Sequence, residues 1–100
     1  MTKEKQIVID AINQKAPLIA GTADKIWEYA ELSLQEYKSA ALYCETLEKE
    51  GFQVQKGIAG IETAFCASFG SGRPVIGILA EYDALSGLSQ KSGSLKQEEI

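Results

Sequence analysis

The hydrophobic period of this chain changes at Gly51, and that change constrains the fold more than any other feature. Ahead of Gly51 the apolar residues recur every three or four positions, as on one face of a helix. Behind it they alternate, as on one side of a strand. A chain of 100 residues that carries both periods must lay helices against a sheet, so the expected class is α/β.

From Thr2 to Tyr29 the spacing of Ile9, Ile12, Ile19, Ala23, Ile26, Trp27 and Ala30 suits an amphipathic helix. Pro17 lacks a backbone N–H and disfavours helical geometry at Ala16, so a kink or break is expected there, with Gly21 or Thr22 capping a second segment and Asp24 near its positive end. Another helical pattern runs from Tyr37 to Glu50, with Ala40, Cys44 and Leu47 on its apolar face. Gly51 is placed to end it as a left-handed cap, and Phe52 to fold back on the last turn. Residues 2–50 are therefore expected to be helical.

Two strands are expected next. Phe52 and Val54 alternate with Gln53 and Gln55, and Phe65, Ala67 and Phe69 alternate with Cys66 and Ser68. Gly57, Ala59 and Gly60 allow a turn between them, and Gly70 to Pro74 makes a stronger break. Val75 to Ala80 is a continuous apolar run of strand length, which predicts a central strand covered on both faces. Residues 52–83 would then hold about three strands. Residues 84–100, rich in Ser, Gly, Lys, Gln and Glu, lose periodicity and read as loop. No later element closes the sheet, so residues 1–100 read as part of a larger domain, with an uncovered sheet through which the chain could self-associate.

Composition excludes several functions. The net charge is −4 and the ten basic residues form no stripe, which argues against nucleic acid. The apolar run at Val75 is far short of the roughly 20 residues a bilayer span needs, and no signal-type core follows Met1, so no membrane role is expected and the cytoplasm is the default compartment. Cys44 and Cys66 do not have zinc-ligand spacing and read as small buried hydrophobes. Trp27 reads as core packing, Tyr37 and Tyr43 as amphipathic boundary residues, and Glu31 and Glu36 as solvated or capping charges. With no histidine in the chain, the commonest general base and metal ligand are missing, and no metal-binding residue is assigned.

The residues best placed for chemistry are Glu81 and Asp83. They follow the expected buried strand at its carboxyl end, where α/β folds bind ligands, and in extended backbone they share a face. Two such carboxylates can bind a cation or orient a group that does. The plainer reading is a loop or helix cap before Ala84 and Leu85, and spacing alone favours it.

Four stretches resemble one family in its own order: E-Y-A-E-L-S-L-Q-E-Y-K-S-A from Glu28, G-F-Q-V from Gly51, A-F-C-A-S-F-G-S-G-R-P-V-I from Ala64, and A-E-Y-D-A-L-S-G-L-S-Q from Ala80. The chain is similar to metal-dependent amidohydrolases of the aminoacylase and carboxypeptidase superfamily, in the group of the p-aminobenzoyl-glutamate hydrolase subunits. The resemblance runs from about Ile7 to Gln90 and implies the first part of a zinc-peptidase-like catalytic domain with a mixed sheet. In that superfamily the strand end carries an H-x-D pair. Asp83 matches the aspartate, which implies a site-orienting role, while Glu81 stands in the place of the histidine and is carried only as a possible site residue.

The implied parent hydrolyses small amides such as aminobenzoyl-glutamate, N-acyl amino acids or dipeptides, using a divalent cation, Mn or Zn, to polarise the carbonyl and activate water. Its glycine-rich histidine motif is not among these 100 residues. The chain alone is therefore expected to hold no cofactor and to be inactive. The rival expectation is a non-catalytic α/β module that binds a protein partner.

Overall fold

The computed structural model describes residues 2–88, 91–96 and 98. Two helices, α1 (Lys3–Tyr29) and α2 (Tyr37–Lys49), precede two strands, β1 (Gln53–Lys56) and β2 (Phe65–Ser68). The class is a small α/β arrangement, as the change of period implies.

Helix α1 starts where Thr2 accepts a hydrogen bond from the Lys5 amide at 3.2 Å. It then runs unbroken for 27 residues with Pro17 inside it, which corrects the expected break. Proline deprives the Asn13 carbonyl of its usual partner, but residues 13–17 all lie on the surface, where water can solvate it. Thr22 caps nothing; its hydroxyl donates to the Leu18 carbonyl at 2.8 Å, within the helix. The helix stops at Ala30, which takes left-handed backbone (φ 47°).

Helix α2 ends as its sequence predicts. The Gly51 amide bonds the Glu48 carbonyl at 3.0 Å and the Phe52 amide bonds the Leu47 carbonyl at 3.0 Å, the paired bonds of a Schellman cap. Gly51 has φ +94°, and a Cβ there would touch the Phe69 ring at 3.4 Å. The cap thus turns the chain directly into β1.

Strands β1 and β2 pair antiparallel, with Gln53 opposite Ser68, Val54 opposite Ala67, Gln55 opposite Cys66 and Lys56 opposite Phe65. Val54, Phe65 and Ala67 are half-buried while Gln53, Gln55, Cys66 and Ser68 are exposed, so the alternation read from sequence sets the register and the face. The inner face meets α2. Tyr43 of α2 stacks on Phe65 of β2 at 5.5 Å between ring centroids, and Phe52 on Phe69 at 5.2 Å.

The third strand is not formed. Val75 to Ala80 has no regular structure, and Val75, Ile76, Ile78 and Leu79 are 81–94% exposed. A continuous apolar run becomes a central strand only when it has a neighbour at each edge and a layer on each face, and the described residues offer neither. The sheet is accordingly two-stranded and antiparallel rather than three-stranded and mixed. A parallel bridge joins Leu32 to Ala84. The chain exposes 8377 Å², about half as much again as the roughly 5,500 Å² of a compact chain of its mass. Its radius of gyration is 16.0 Å, against about 13 Å for a compact domain of this length.

Candidate functional site

The segment after the apolar run is tied down by its odd and even residues differently. Tyr82 turns inward, where its ring lies 6.0 Å from Tyr43 and 6.2 Å from Phe65, and its hydroxyl donates to the Thr63 carbonyl. Ala84 anchors the far end, its amide N–H donating a hydrogen bond to the Glu31 carbonyl at 2.7 Å. Glu81 and Asp83, on either side of Tyr82, are exposed. Both stand at the wall of a groove of about 1190 Å³ whose apolar lining includes Ile19, Trp27, Leu47, Phe69 and Leu85. Trp27 is half exposed at 50% on that wall, so it is not the core residue its spacing suggests.

The anchors rest on a polar knot that sequence reading misses. The Glu31 carboxylate accepts the Lys38 amide at 2.9 Å and the Ser39 amide at 2.8 Å, and so serves as the N-terminal cap of α2 in place of Glu36. The capping role considered for Glu31 is therefore the one it has. Glu36 accepts instead from the Thr63 hydroxyl at 3.1 Å. Thr63 is 4% exposed and Ser39 fully buried. The Ser39 hydroxyl is close enough to favour the charged form of Glu31, yet has no hydrogen-bond partner of good geometry. The α1–α2 connection, the loop before β2 and the segment holding Glu81 and Asp83 meet at this knot. The signal available in the sequence is the tyrosine between the two carboxylates, which alternation sends to the opposite side.

Electrostatics follow the same geometry. Desolvation works against the Glu31 charge, but the amides of Lys38 and Ser39 and the Lys38 charge outweigh it and hold the carboxyl below its ordinary value of 4.5. Burial, helped by the charges of Glu36 and Glu31, pushes the Tyr82 hydroxyl up, so it stays a donor. Burial also raises the Cys44 thiol. Cys44 is the buried small hydrophobe expected, whereas Cys66 is exposed and is not.

The depressed Glu31 value carries a pH dependence with a fixed sign. A carboxylate favoured in the folded state adds stability above its unfolded value, near 4.5, and loses it as the pH falls through its lower folded value. Glu31→Gln should therefore cost about 1 kcal/mol at neutral pH, the usual loss for a helix cap. The difference between the two chains should shrink below about pH 4. Urea midpoints of both chains at neutral and acid pH check this, and a pH-independent difference would refute it.

Among the described residues no group of three or more His, Cys, Asp or Glu is close enough to hold a metal ion. Glu81 and Asp83 do not make a metal centre by themselves, and no histidine exists to complete one. Among the described residues no helix is long and apolar enough to cross a membrane.

Comparison with known proteins gives the lineage. No family profile matches the chain, and no solved structure does. Among curated proteins, it is 43% identical over 88 residues to a p-aminobenzoyl-glutamate hydrolase subunit of Escherichia coli, a match covering 88% of this chain and 18% of that protein. It is 40% and 38% identical over 63 residues to thermostable carboxypeptidases 1 and 2 of Saccharolobus solfataricus, in each case 61% of this chain and 16% of the other. The chain thus spans under a fifth of the length of these relatives. Likeness of this degree along nearly the whole chain makes it a homologue of one portion of these hydrolases, within the peptidase and amidohydrolase family.

Proposed function

We propose that this chain supplies the first part of the catalytic domain of a cytoplasmic, metal-dependent hydrolase of small amides. Its substrates would be aminobenzoyl-glutamate, N-acyl amino acids or dipeptides. The observation that carries this reading is the 43% identity over 88 residues to a protein named for aminobenzoyl-glutamate hydrolysis. In it, Asp83 orients the reacting groups and Glu81 stands beside them at the groove wall. Tyr82 acts as the peg that sets both carboxylates, since its own hydroxyl is committed to Thr63.

The cation of such a hydrolase, Mn or Zn, supplies Lewis acidity to the amide carbonyl and the attacking water. Residues of this chain do not fit it as ligands: there is no histidine and, among the described residues, no three-membered donor cluster. The part played here is to wall the groove and place one orienting carboxylate. By itself the 100-residue chain is expected to be inactive.

A chimera tests the proposal. The 88-residue matching stretch replaces its counterpart in the E. coli hydrolase subunit, and hydrolysis of aminobenzoyl-glutamate is assayed with Mn²⁺ or Zn²⁺ and whatever companion chain that protein requires. Activity in the chimera and none in the isolated chain is the expected result. Activity in the isolated chain would overturn the assignment of roles. A folded but silent chimera would favour the non-catalytic binding module, for which the bare apolar segment at Val75 is the supporting feature.

A further inference from the structure

Asp83 is exposed, and the stretch leading to it, Val75 to Ala80, has no regular structure, so the direction of Asp83 is set by the residues on either side of it. On one side the Tyr82 hydroxyl donates to the Thr63 carbonyl, and on the other the Ala84 amide donates to the Glu31 carbonyl at 2.7 Å. Both attachments lead back to the short connection between α1 and α2. Glu31 lies in that connection, and the Thr63 hydroxyl donates at 3.1 Å to Glu36 at its far end. We propose that Glu36 is a positioning residue for Asp83, acting through the Thr63 hydroxyl and the Tyr82 anchor. This role rests on the reading of Asp83 as the orienting carboxylate.

Thr63 is the link, and it is only 4% exposed. Its two oxygens are both engaged, the hydroxyl with Glu36 and the carbonyl with Tyr82. A buried hydroxyl that loses its acceptor has no water to replace it, and a shift of Thr63 carries the carbonyl that receives Tyr82. The Tyr82 ring also packs on Tyr43 and Phe65. Ring packing survives a small shift of Thr63, whereas the angle at which the ring is held does not, so loss of the Glu36 contact misdirects Asp83 without unfolding the cluster.

The backbone of the connection points the same way. Ala30 and Leu34 take left-handed conformations, with φ 47° and 68°, in which a Cβ is crowded. Leu34 is 64% exposed, so packing of its side chain does not compensate. Such strain persists where surrounding contacts over-determine it. Here those contacts belong to Glu31, which receives the amides of Lys38, Ser39 and Ala84, and to Glu36, which receives Thr63. The connection is a bracket with two arms, one for each neighbour of Asp83, and a parallel bridge from Leu32 to Ala84 lies between them.

Glu36 makes no capping bond to α2, so Glu36→Ala keeps the cap that Glu31 provides. In the 100-residue chain, amide exchange followed by nuclear magnetic resonance should show the Ala84 amide exchanging about tenfold faster in Glu36→Ala and in Thr63→Val. The Phe52 amide, bonded to the Leu47 carbonyl, should be unchanged. Glu36→Gln and Thr63→Ser, which keep the acceptor oxygen and the hydroxyl, should restore the slow rate. In the chimera, Glu36→Ala should lower kcat about tenfold with KM little changed, Glu36→Gln should recover it, and in an Asp83→Asn background Glu36→Ala should have no further effect. Equal acceleration at Ala84 and Phe52, no acceleration at all, failure of Glu36→Gln to rescue, or a full additional loss in the Asp83→Asn background would each overturn the positioning role. An Asp83→Asn chimera of unaltered activity would reject the reading of Asp83 itself, and with it this role. The exchange rates need no activity, so they decide the link from Glu36 to residues 82–84 even if the chimera is silent.

Discussion

Asp83→Asn in the chimera should lower kcat/KM by about 10- to 100-fold, the usual loss when a group that orients metal-site chemistry is removed. The substitution keeps the size of the side chain and removes its charge. Asp83 is exposed, so the chimera should remain folded. Glu81→Gln, on the same wall of the groove, should have the smaller effect, because the proposed orienting role falls to Asp83 alone. Steady-state kinetics on aminobenzoyl-glutamate, with circular dichroism as the folding control, decide the matter. An Asp83→Asn chimera with unaltered kcat/KM would remove Asp83 from the site, and a larger loss at Glu81 would exchange the two roles.

The second large effect is on stability. Phe65→Ala should cost about 2 kcal/mol, below the roughly 3–5 kcal/mol of a fully buried aromatic because Phe65 is only half-buried. Phe65 touches both Tyr43 and Tyr82, so its removal loosens α2 from β2 and also releases the segment bearing Glu81 and Asp83. In a domain whose buried apolar core among the described residues is Cys44 alone, a loss of that size takes much of the available stability. Phe69→Ala is the control: Phe69 is mostly exposed, its ring pairs with Phe52, and its loss should cost less than about 1 kcal/mol. Urea midpoints of the three chains measure both effects, and equal losses at the two positions would show that the Tyr43–Phe65–Tyr82 cluster is not the centre of the fold.

Legibility in the sequence follows how local each determinant is. The cap at Gly51 and Phe52, the alternation through Val54, Phe65 and Ala67, and the extent of α2 are decided by neighbours a few positions away, and all are plain from the residues. Pro17 misleads because its cost depends on whether water reaches the Asn13 carbonyl, which is a property of the assembled surface. Val75 to Ala80 misleads because strand formation is a property of pairs, and an apolar run reports its need for a neighbour without supplying one. At the candidate site, Glu81 and Asp83 stand out in the sequence as two carboxylates two positions apart, a spacing that by itself favours a loop cap. The knot that holds them does not stand out, because Glu31 and Glu36, Thr63, and Tyr82 come from three separated stretches and are joined by contacts 8 to 27 residues apart. Glu31 reads as a capping charge from its place in the chain, but the helix it caps and the segment it steadies are visible only in three dimensions.

The ion pair between Lys15 and Glu50 divides the longest element of the chain in two. The lysine ammonium reaches both carboxylate oxygens, one of them at 2.9 Å, and from this point onward the residues of α1 line the groove against α2 and the segment after Glu81. Ahead of it, residues 3–14 are exposed on every side, including Ile7, Val8 and Ile12. Twelve residues of helix make a rod of about 18 Å, and a rod that length without tertiary support is marginal in water. A single continuous helix therefore contains two levels of protection against hydrogen exchange: amides beyond Lys15 open only when the docked body does, while those before it open by fraying from Thr2 inward.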